Sequence, residues 1–186
     1  MATMIRRPTG DGDKTTGYPI AYSSGTTGWN LVDEEVTSDS DYAYFYSAAG
    51  GSGGYLYFTY SPFTLSSGSV VNNLRIHFRT VGYDLFSDPK QHRAAIKVNG
   101  TRYPTGTLIT AQDSTPVDRY YDFAINPATG SAWTLADING TGAAPLQQFG
   151  IGDVATSVRA SVILYKCYAE VDYTPGSDWV PPVIWL

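Results

Sequence analysis

The chain has 186 residues, the length of one ordinary domain, and it is long enough to bury a core without disulfides or a structural metal. Lys and Arg number 12 against 17 Asp and Glu, and the net charge of −5 disfavours a protein that mainly neutralises nucleic-acid phosphates. Only 16 % of the residues are charged, whereas Tyr numbers 15 and Gly 19, which is typical of short strands joined by tight turns and disfavours long amphipathic helices.

The N-terminal segment, residues 1–17, is polar and contains several Gly residues and one Pro. We expect it to be a flexible arm that does not help to build the core. Its Arg6 and Arg7 are candidate partner-binding residues, and it has no apolar run of the kind that a signal peptide needs. No stretch of the chain is apolar enough for a membrane helix, so we expect a soluble protein made in the cytoplasm.

Residues 18–175 are expected to form a single β-sandwich domain. Extended segments alternate with turn clusters at intervals of roughly 8 to 12 residues, which favours a sandwich or barrel over alternating strands and helices. The candidate strands are 18–23, 28–32, 41–47, 54–63, 70–83, 93–98, 101–103, 107–111, 117–125, 147–151 and 157–173.

The clearest strand pattern lies in residues 74–79 (LRIHFR), in which Leu74, Ile76 and Phe78 predict a core face. The opposite face then carries three basic side chains, Arg75, His77 and Arg79. Solvation alone is the simpler interpretation of this basic face, and a ligand or an acidic partner is the alternative.

Three further local predictions follow from turn and periodicity signals. Asn99-Gly100 predicts a two-residue type I′ hairpin turn. A short helix is expected within 131–139, beginning near Ser131. The last strand is expected to have a core face and an outer face. The core face would carry Ile163, Tyr165, Cys167, Ala169 and Val171, and the outer face Lys166, Glu170 and Asp172.

Motifs for catalysis, cofactors and metals are weak. Neither His77 nor His92 has another ligand residue at the sequence spacing of a metal site. Both are expected at the surface, and His92 is expected in a loop. The glycines of 50–54 lack the lysine of a phosphate-binding loop and are expected to form a hairpin loop. The acidic residues are the remaining candidates for calcium or carboxylate catalysis, namely Asp33, Glu34, Glu35, Asp39 and Asp41. We therefore predict no enzyme, no cofactor and no metal.

Alternating tyrosines offer a second interpretation. Two segments would each leave a stripe of tyrosine rings outside a sandwich, as in carbohydrate-binding modules. The first has Tyr42, Tyr44 and Tyr46, and the second has Tyr55 and Tyr57. Pairing of these rings across strands is the structural alternative.

The C-terminal segment, 176–186, is unusually apolar. Pro181-Pro182 disfavours a helix, so we expect an extended docking tail. Its docking surface is either the body of the same chain or a neighbouring subunit, and we favour the neighbour. Its predicted partner-binding residues are Trp179, Val180, Val183, Ile184, Trp185 and Leu186.

Several short motifs resemble β-sandwich virion proteins of tailed bacteriophages over residues 28–173. They are WNLVDE (29–34), SDSDY (38–42), WTLADI (133–138), FGI (149–151) and YAEVDY (168–173). The resemblance implies a jelly-roll-like antiparallel sandwich. Together with the local patterns above, the expected fold is all-β, with at most one short helix near 131–139 and extended terminal arms.

The resemblance also implies a structural role in a virion, with the protein made in the host cytoplasm. The first functional expectation is a capsid decoration or cement protein that binds the major capsid protein or other virion proteins as a homo-oligomer, with a trimer favoured. Direct binding of nucleic acid or a membrane is not expected. The alternative is a glycan- or receptor-binding module on a tail or fibre.

Overall fold

The computed structural model describes residues 1–14, 20–23, 28–33, 40–46, 51–84, 91–104, 108–110, 115–156 and 160–177. The strands within these ranges are β1 (Ala2–Arg6), β2 (Pro8–Lys14), β3 (Ile20–Tyr22), β4 (Ala43–Tyr46), β5 (Gly51–Tyr60), β6 (Val70–Asp84), β7 (Gln91–Val98), β8 (Thr101–Pro104), β9 (Ile109–Thr110), β10 (Val117–Phe123), β11 (Leu146–Thr156) and β12 (Ala160–Thr174). One short helix, α1 (Leu135–Ile138), and a 3-10 turn, Trp29–Leu31, accompany them in these ranges.

The strands form two antiparallel sheets. The first sheet has the order β10-β6-β12-β4-β3, and β1 pairs with the part of β12 that β4 leaves unpaired. The second sheet has the order β2-β5-β11-β7-β8, with β9 also on β7. This arrangement confirms the predicted antiparallel β-sandwich, and α1 is the single short α-helix among the described residues. None of the helices in the described ranges is long and apolar enough to cross a membrane.

The core lies between the two sheets and is built from the inward residues of long alternating strands. Its fully or almost fully buried side chains come from the first sheet (Leu74, Ile76, Phe78, Val162, Leu164, Cys167, Ala169, Val171) and from the second (Leu56, Phe58, Ala94, Ile96, Val98, Phe149, Ile151). Burial of this much apolar surface is the main favourable term in folding. It also fixes which side chains of β6 and β12 must face outward.

The N-terminal residues are not a flexible arm, so the expectation for 1–17 is wrong over residues 2–14. In β1, Ala2 lies opposite Tyr173 and Met4 opposite Val171, and both side chains pack against the core. β2 extends the second sheet by pairing with β5. The polar composition misled the prediction because a strand at a sheet edge is held by backbone hydrogen bonds, whatever its outward side chains are.

The predicted hairpin is confirmed. Val98 pairs with Thr101, and Asn99 and Gly100 between them have φ angles of 46° and 79°. Two consecutive left-handed residues define the type I′ turn, whose twist matches that of the flanking strands.

The predicted faces of the last strand hold only for its second half. A bulge between Leu164 and Lys166 shifts the register of β12 against β6. Val162 and Leu164 are therefore fully buried, whereas Ile163 is half-exposed rather than on the core face. A bulge inserts one residue and exchanges the two faces, which no simple alternation rule anticipates.

Other local predictions need smaller corrections. Residues 29–31 form a 3-10 turn instead of a strand, and residues 51–54 are part of β5 instead of a loop. The helix is capped by Thr134 and not near Ser131, because the Thr134 side chain accepts from Asp137 N in a capping box.

His92 is not a surface loop residue. It lies in β7, is fully buried between the sheets, and its Nε2 is 3.1 Å from Thr80 Oγ1 on β6. Its ring also meets that of Phe78 edge-on at 5.6 Å. The hydroxyl partner makes the buried imidazole tolerable, since a buried polar group without a hydrogen bond is costly.

Candidate functional site

Three neighbouring strands, β10, β6 and β12, place a row of aromatic rings on the outer face of the first sheet. Tyr120 and Tyr168 both lie directly opposite His77 in the two strand registers. The His77 and Tyr168 rings stack at 4.3 Å with an interplanar angle of 8°, and Tyr120 is 5.9 Å away on the other side. We call Tyr120, His77 and Tyr168 the aromatic row.

A charged row follows one step along the same strands. Arg75 lies opposite both Asp122 and Glu170. It donates from Nε and Nη2 to the two oxygens of Asp122 at 2.6 and 3.1 Å, whereas its distance to Glu170 is 4.0 Å. Asn73 also donates to Asp122 at 2.7 Å. This first charged row therefore has a bidentate ion pair in a fixed orientation.

The second charged row flanks the aromatic row on its other side. Arg79 lies opposite Asp118 and Lys166, and its Nη1 donates to Asp118 at 2.8 Å. The cations also reach the rings, because the Arg75 guanidinium lies 4.4 Å from the centre of Tyr120 and Lys166 Nζ lies 5.2 Å from that of Tyr168. Such cation–π contacts hold the ring orientations in place.

The three rings of the aromatic row differ in their exposure to solvent. Tyr120, on the edge strand, is 59 % exposed, and Tyr168 is half-buried. The His77 side chain retains 21 % exposure between them. Tyr120 is thus the ring face most available to a ligand.

The electrostatics of the charged row follow from its hydrogen bonds and burial. The hydrogen bond from Arg75 is the main reason why the pKa of Asp122 lies below its ordinary value. Glu170 behaves in the opposite way, since burial and the neighbouring charge of Asp172 raise the pKa of its carboxyl. The charged form is therefore favoured at Asp122 and disfavoured at Glu170.

His77 is neutral at neutral pH. Burial lowers the pKa of its imidazole to about 4, and the charges of Arg75 and Lys166 act in the same direction. Its Nε2 lies 3.6 Å from Glu170 Oε2, which is too long for a hydrogen bond. His77 therefore acts in the aromatic row as a planar, uncharged ring.

The predicted ligand face is assembled, but with a different character. Arg75, His77 and Arg79 share one outward face as the alternation in β6 indicated. The face is not simply basic, because each arginine has a carboxylate on the neighbouring β10. Alternation in the last strand predicted that Glu170 and Lys166 face outward, whereas Tyr120 and Tyr168 were not predicted as site residues. The alternation in β10 (VDRYYDF) was the signal available for Tyr120.

Of the other candidates, Arg6 is not brought into this site, whereas Arg7 lies beside it. Arg6 is engaged within the chain, donating to Pro62 O at 3.1 Å and Thr64 Oγ1 at 3.2 Å. Arg7 lies near enough to Tyr168 for its charge to act on that phenol. The predicted tail residues 179–186 lie outside the described residues.

The acidic and tyrosine candidates remain partly outside the described ranges. Asp33 and Asp41 are described, whereas Glu34, Glu35 and Asp39 are not. No group of three or more His, Cys, Asp or Glu within the described ranges has the arrangement of a metal site. Tyr42 and Tyr44 are half-buried and 6.1 Å apart, and Tyr42 also packs edge-on against Tyr165.

The outer face of the second sheet provides a contrast. There Asp13 accepts from Lys97 and Arg102 at 2.9 and 3.1 Å, and Arg102 lies 4.0 Å from the centre of the Tyr55 ring. The hydrogen bond from Lys97 is the main cause of the lowered pKa of Asp13. The Tyr55 ring lies 5.6 Å from that of Tyr57, which is buried, so the described part of this face has no exposed row of rings like that of the first sheet.

Comparison with known proteins supports the fold. Neither a protein-family model nor a curated protein matches the sequence. Among solved structures, the chain is similar to the CBM22-1 xylan-binding domain from Paenibacillus barcinonensis Xyn10C, with a TM-score of 0.51 and 8 % sequence identity over 91 % of this chain and 96 % of that domain. At this identity, the chain shares the β-sandwich fold of a carbohydrate-binding domain.

Proposed function

We propose that this protein is a non-catalytic carbohydrate-binding module whose site is the aromatic row with its two flanking charged rows. The observation that carries the proposal is the alignment of Tyr120, His77 and Tyr168 in direct cross-strand register on a solvent-facing sheet. The similar fold of a xylan-binding domain supports it.

The chemistry of the face suits a sugar. A pyranose ring has C–H groups on its faces and hydroxyls on its rim, so it stacks on an aromatic ring and hydrogen-bonds at its edges. Tyr120 offers the exposed ring, and Asp122 and Arg75 lie one row away as acceptor and donor. Successive rows are about 7 Å apart and neighbouring strands about 5 Å, which leaves room for a short oligosaccharide.

Fixed geometry makes the site suitable for recognition. The bidentate Arg75–Asp122 pair and the stacked His77–Tyr168 pair hold their side chains before any ligand arrives. Preorganised groups lose less conformational entropy on binding, so more of the contact energy remains as affinity.

The test measures retention of the protein on insoluble polysaccharides, with xylan and cellulose as the first two, followed by calorimetry with oligosaccharides of those that bind. Replacement Tyr120→Ala should weaken binding at least tenfold, which corresponds to about 1.4 kcal/mol. The matched control is Tyr55→Ala, which removes an outer-face tyrosine from the second sheet and should leave binding unchanged. If Tyr120→Ala and Tyr55→Ala bind the polysaccharide with the same affinity, the aromatic row is not the binding site. A glycan array without any hit would remove the function.

A second candidate is the virion structural role implied by the sequence resemblance, either as a capsid decoration protein or as a module on a tail or fibre. The observation on its side is the apolar sequence of residues 179–186, which would serve this role only if the segment docks on a neighbouring subunit or the major capsid protein and not on its own chain. Electron microscopy of particles mixed with the protein distinguishes the two candidates. Trimeric density on a capsid lattice supports decoration, and a monomer that leaves particles bare but binds glycan opposes it.

A further inference from the structure

An apolar groove runs along the edge of the first sheet where β10 ends. Its cavity of about 330 Å³ is lined by Tyr121, Asp122, Phe123, Ala124, Ile125 and Pro127. Ile125 is 53 % exposed although its side chain is apolar, and the lining rings of Tyr121 and Phe123 contact each other edge-on at 5.1 Å. We call this feature the β10 groove.

The β10 groove is at an open edge. Within the described residues β10 pairs with β6 on one side and with no strand on the other. Side chains already bond two carbonyls of β10, since Trp133 Nε1 donates to Phe123 O at 2.7 Å and Arg119 Nη1 to Val117 O at 3.4 Å. What β10 offers to a further segment is therefore chiefly the apolar lining of the groove. The groove therefore has both the shape and the chemistry to accept an extended apolar segment.

The described chain ends close to this groove. β12 and β10 are both antiparallel to β6, so they run in the same direction and finish at the same end of the first sheet. Thr174 lies opposite Val70, and Phe123 lies opposite Leu74. The end of β12 is therefore separated from Phe123 by two strand spacings across the sheet, about 10 Å, and by four residues along β6, about 13 Å.

The last described residues are anchored at that end. Gly176 N donates to Ser69 Oγ at 3.3 Å, and the Gly176 backbone packs so closely on Ser67 and Gly68 that a side chain there would collide with them. The segment that follows therefore starts from a fixed point next to the exposed Val70. Eight extended residues reach about 25 Å, which exceeds the separation from the groove.

We propose that residues 179–186 dock into the β10 groove of the same chain. The segment has six large apolar residues and a Pro-Pro pair that keeps it extended, which matches an apolar groove beside an open strand edge. Docking within one chain is favoured over docking on a second copy because the short connection gives the segment a millimolar-scale effective concentration. The β10 groove shares Asp122 with the first charged row of the carbohydrate site, and its other lining residues lie outside that site.

Hydrogen exchange of the full chain, followed by mass spectrometry, tests the docking from both sides. The amides of 178–186 should exchange at least tenfold more slowly than in a free peptide of the same sequence. Replacement Ile125→Asp, which places a charge in the groove, should return them to the free-peptide rate. The reciprocal change Ile184→Asp should speed exchange in 121–127.

The control is Leu108→Asp, which places the same charge on another exposed apolar residue beside an edge strand, β9. It should leave the exchange of 178–186 slow. Free-peptide exchange in the unmodified chain, or slow exchange that survives Ile125→Asp, would overturn the proposal. Sedimentation of the same samples should give the mass of one chain at every concentration. Slow exchange that appears only together with a multiple of that mass would assign the segment to a neighbouring copy and also overturn it.

Discussion

At the scale of single residues, His77 shows how the sheet changes the chemistry of a side chain. It is flanked by two tyrosines on neighbouring strands and by Arg75 and Lys166 on the adjacent rows. Burial and these two charges lower the pKa of the imidazole to about 4. Loss of hydration is the largest of these causes, and the carboxylates of Asp118 and Asp122 offset only part of the shift, so the folded protein favours the neutral ring.

This pKa shift predicts a pH dependence of stability. Because the pKa falls from 6.5 in the unfolded chain to about 4 in the folded one, the unfolded chain binds more protons between these values. The free energy of unfolding should therefore fall as the pH drops from 6.5 towards 4. Replacement His77→Gln should remove about 1–2 kcal/mol of this fall, less than the full shift because part of the ring meets water.

Denaturant unfolding of both proteins at pH 4.2, 5.5 and 7 would measure this difference. The lower limit keeps Asp122 charged, since Arg75 lowers the pKa of that carboxyl below 3.8. Parallel curves for the two proteins would mean that His77 does not titrate in this range.

At the scale of elements, turns and bulges decide where faces and registers change. The bulge in β12 exchanges its two faces at Tyr165, whereas the Asn99-Gly100 turn keeps β7 and β8 in the expected register. The turn signal is local and depends on the conformational freedom of two residues. The bulge depends on what β12 must pair with on both sides, so the sequence alone did not reveal it.

The turn gives a prediction free of packing effects. Gly100 has a φ of 79°, and no atom lies within 4 Å of the position that a Cβ would take. Replacement Gly100→Ala should therefore lower the free energy of unfolding by about 1 kcal/mol through backbone strain alone. Gly100→Asn should cost less, because Asn tolerates the left-handed region better. Equal losses in urea unfolding would point to a cause other than φ.

At the scale of the whole molecule, the two N-terminal strands belong to different sheets of the sandwich. β1 adds to the first sheet and β2 to the second, so residues that look like an arm connect the two layers. The inward residues of β1 pack on the core, whereas Ile5 faces outward with 38 % exposure. A flexible arm would tolerate polar substitutions equally at both kinds of position.

A matched pair of substitutions separates these cases. Met4→Ser should lower the free energy of unfolding by about 1–2 kcal/mol, because Met4 is partly buried against the core. Ile5→Ser, on the neighbouring outward position, should change it by less than about 0.5 kcal/mol. Thermal unfolding should show a decrease of roughly 2–8 °C for the first and little for the second. Equal changes in the free energy of unfolding for the two variants would mean that residues 1–6 behave as a flexible arm and do not pack on the core.

The sequence by itself determined the all-β class, the inward residues of β6, the hairpin at Asn99-Gly100 and the outward face of Arg75, His77 and Arg79. These features are encoded locally, by alternation with a period of two and by residues that accept unusual φ angles. They required no knowledge of which strands become neighbours.

Only the tertiary structure decided what that outward face is. Strand order places β10 and β12 on either side of β6, and this turns three separated segments into an aromatic row between two charged rows. The same pairing recruits residues 2–14 into the sheets and buries His92 beside Thr80. Contacts between strands far apart in sequence depend on the summed free energy of all pairings in the sandwich, so no single segment contains the information to predict them.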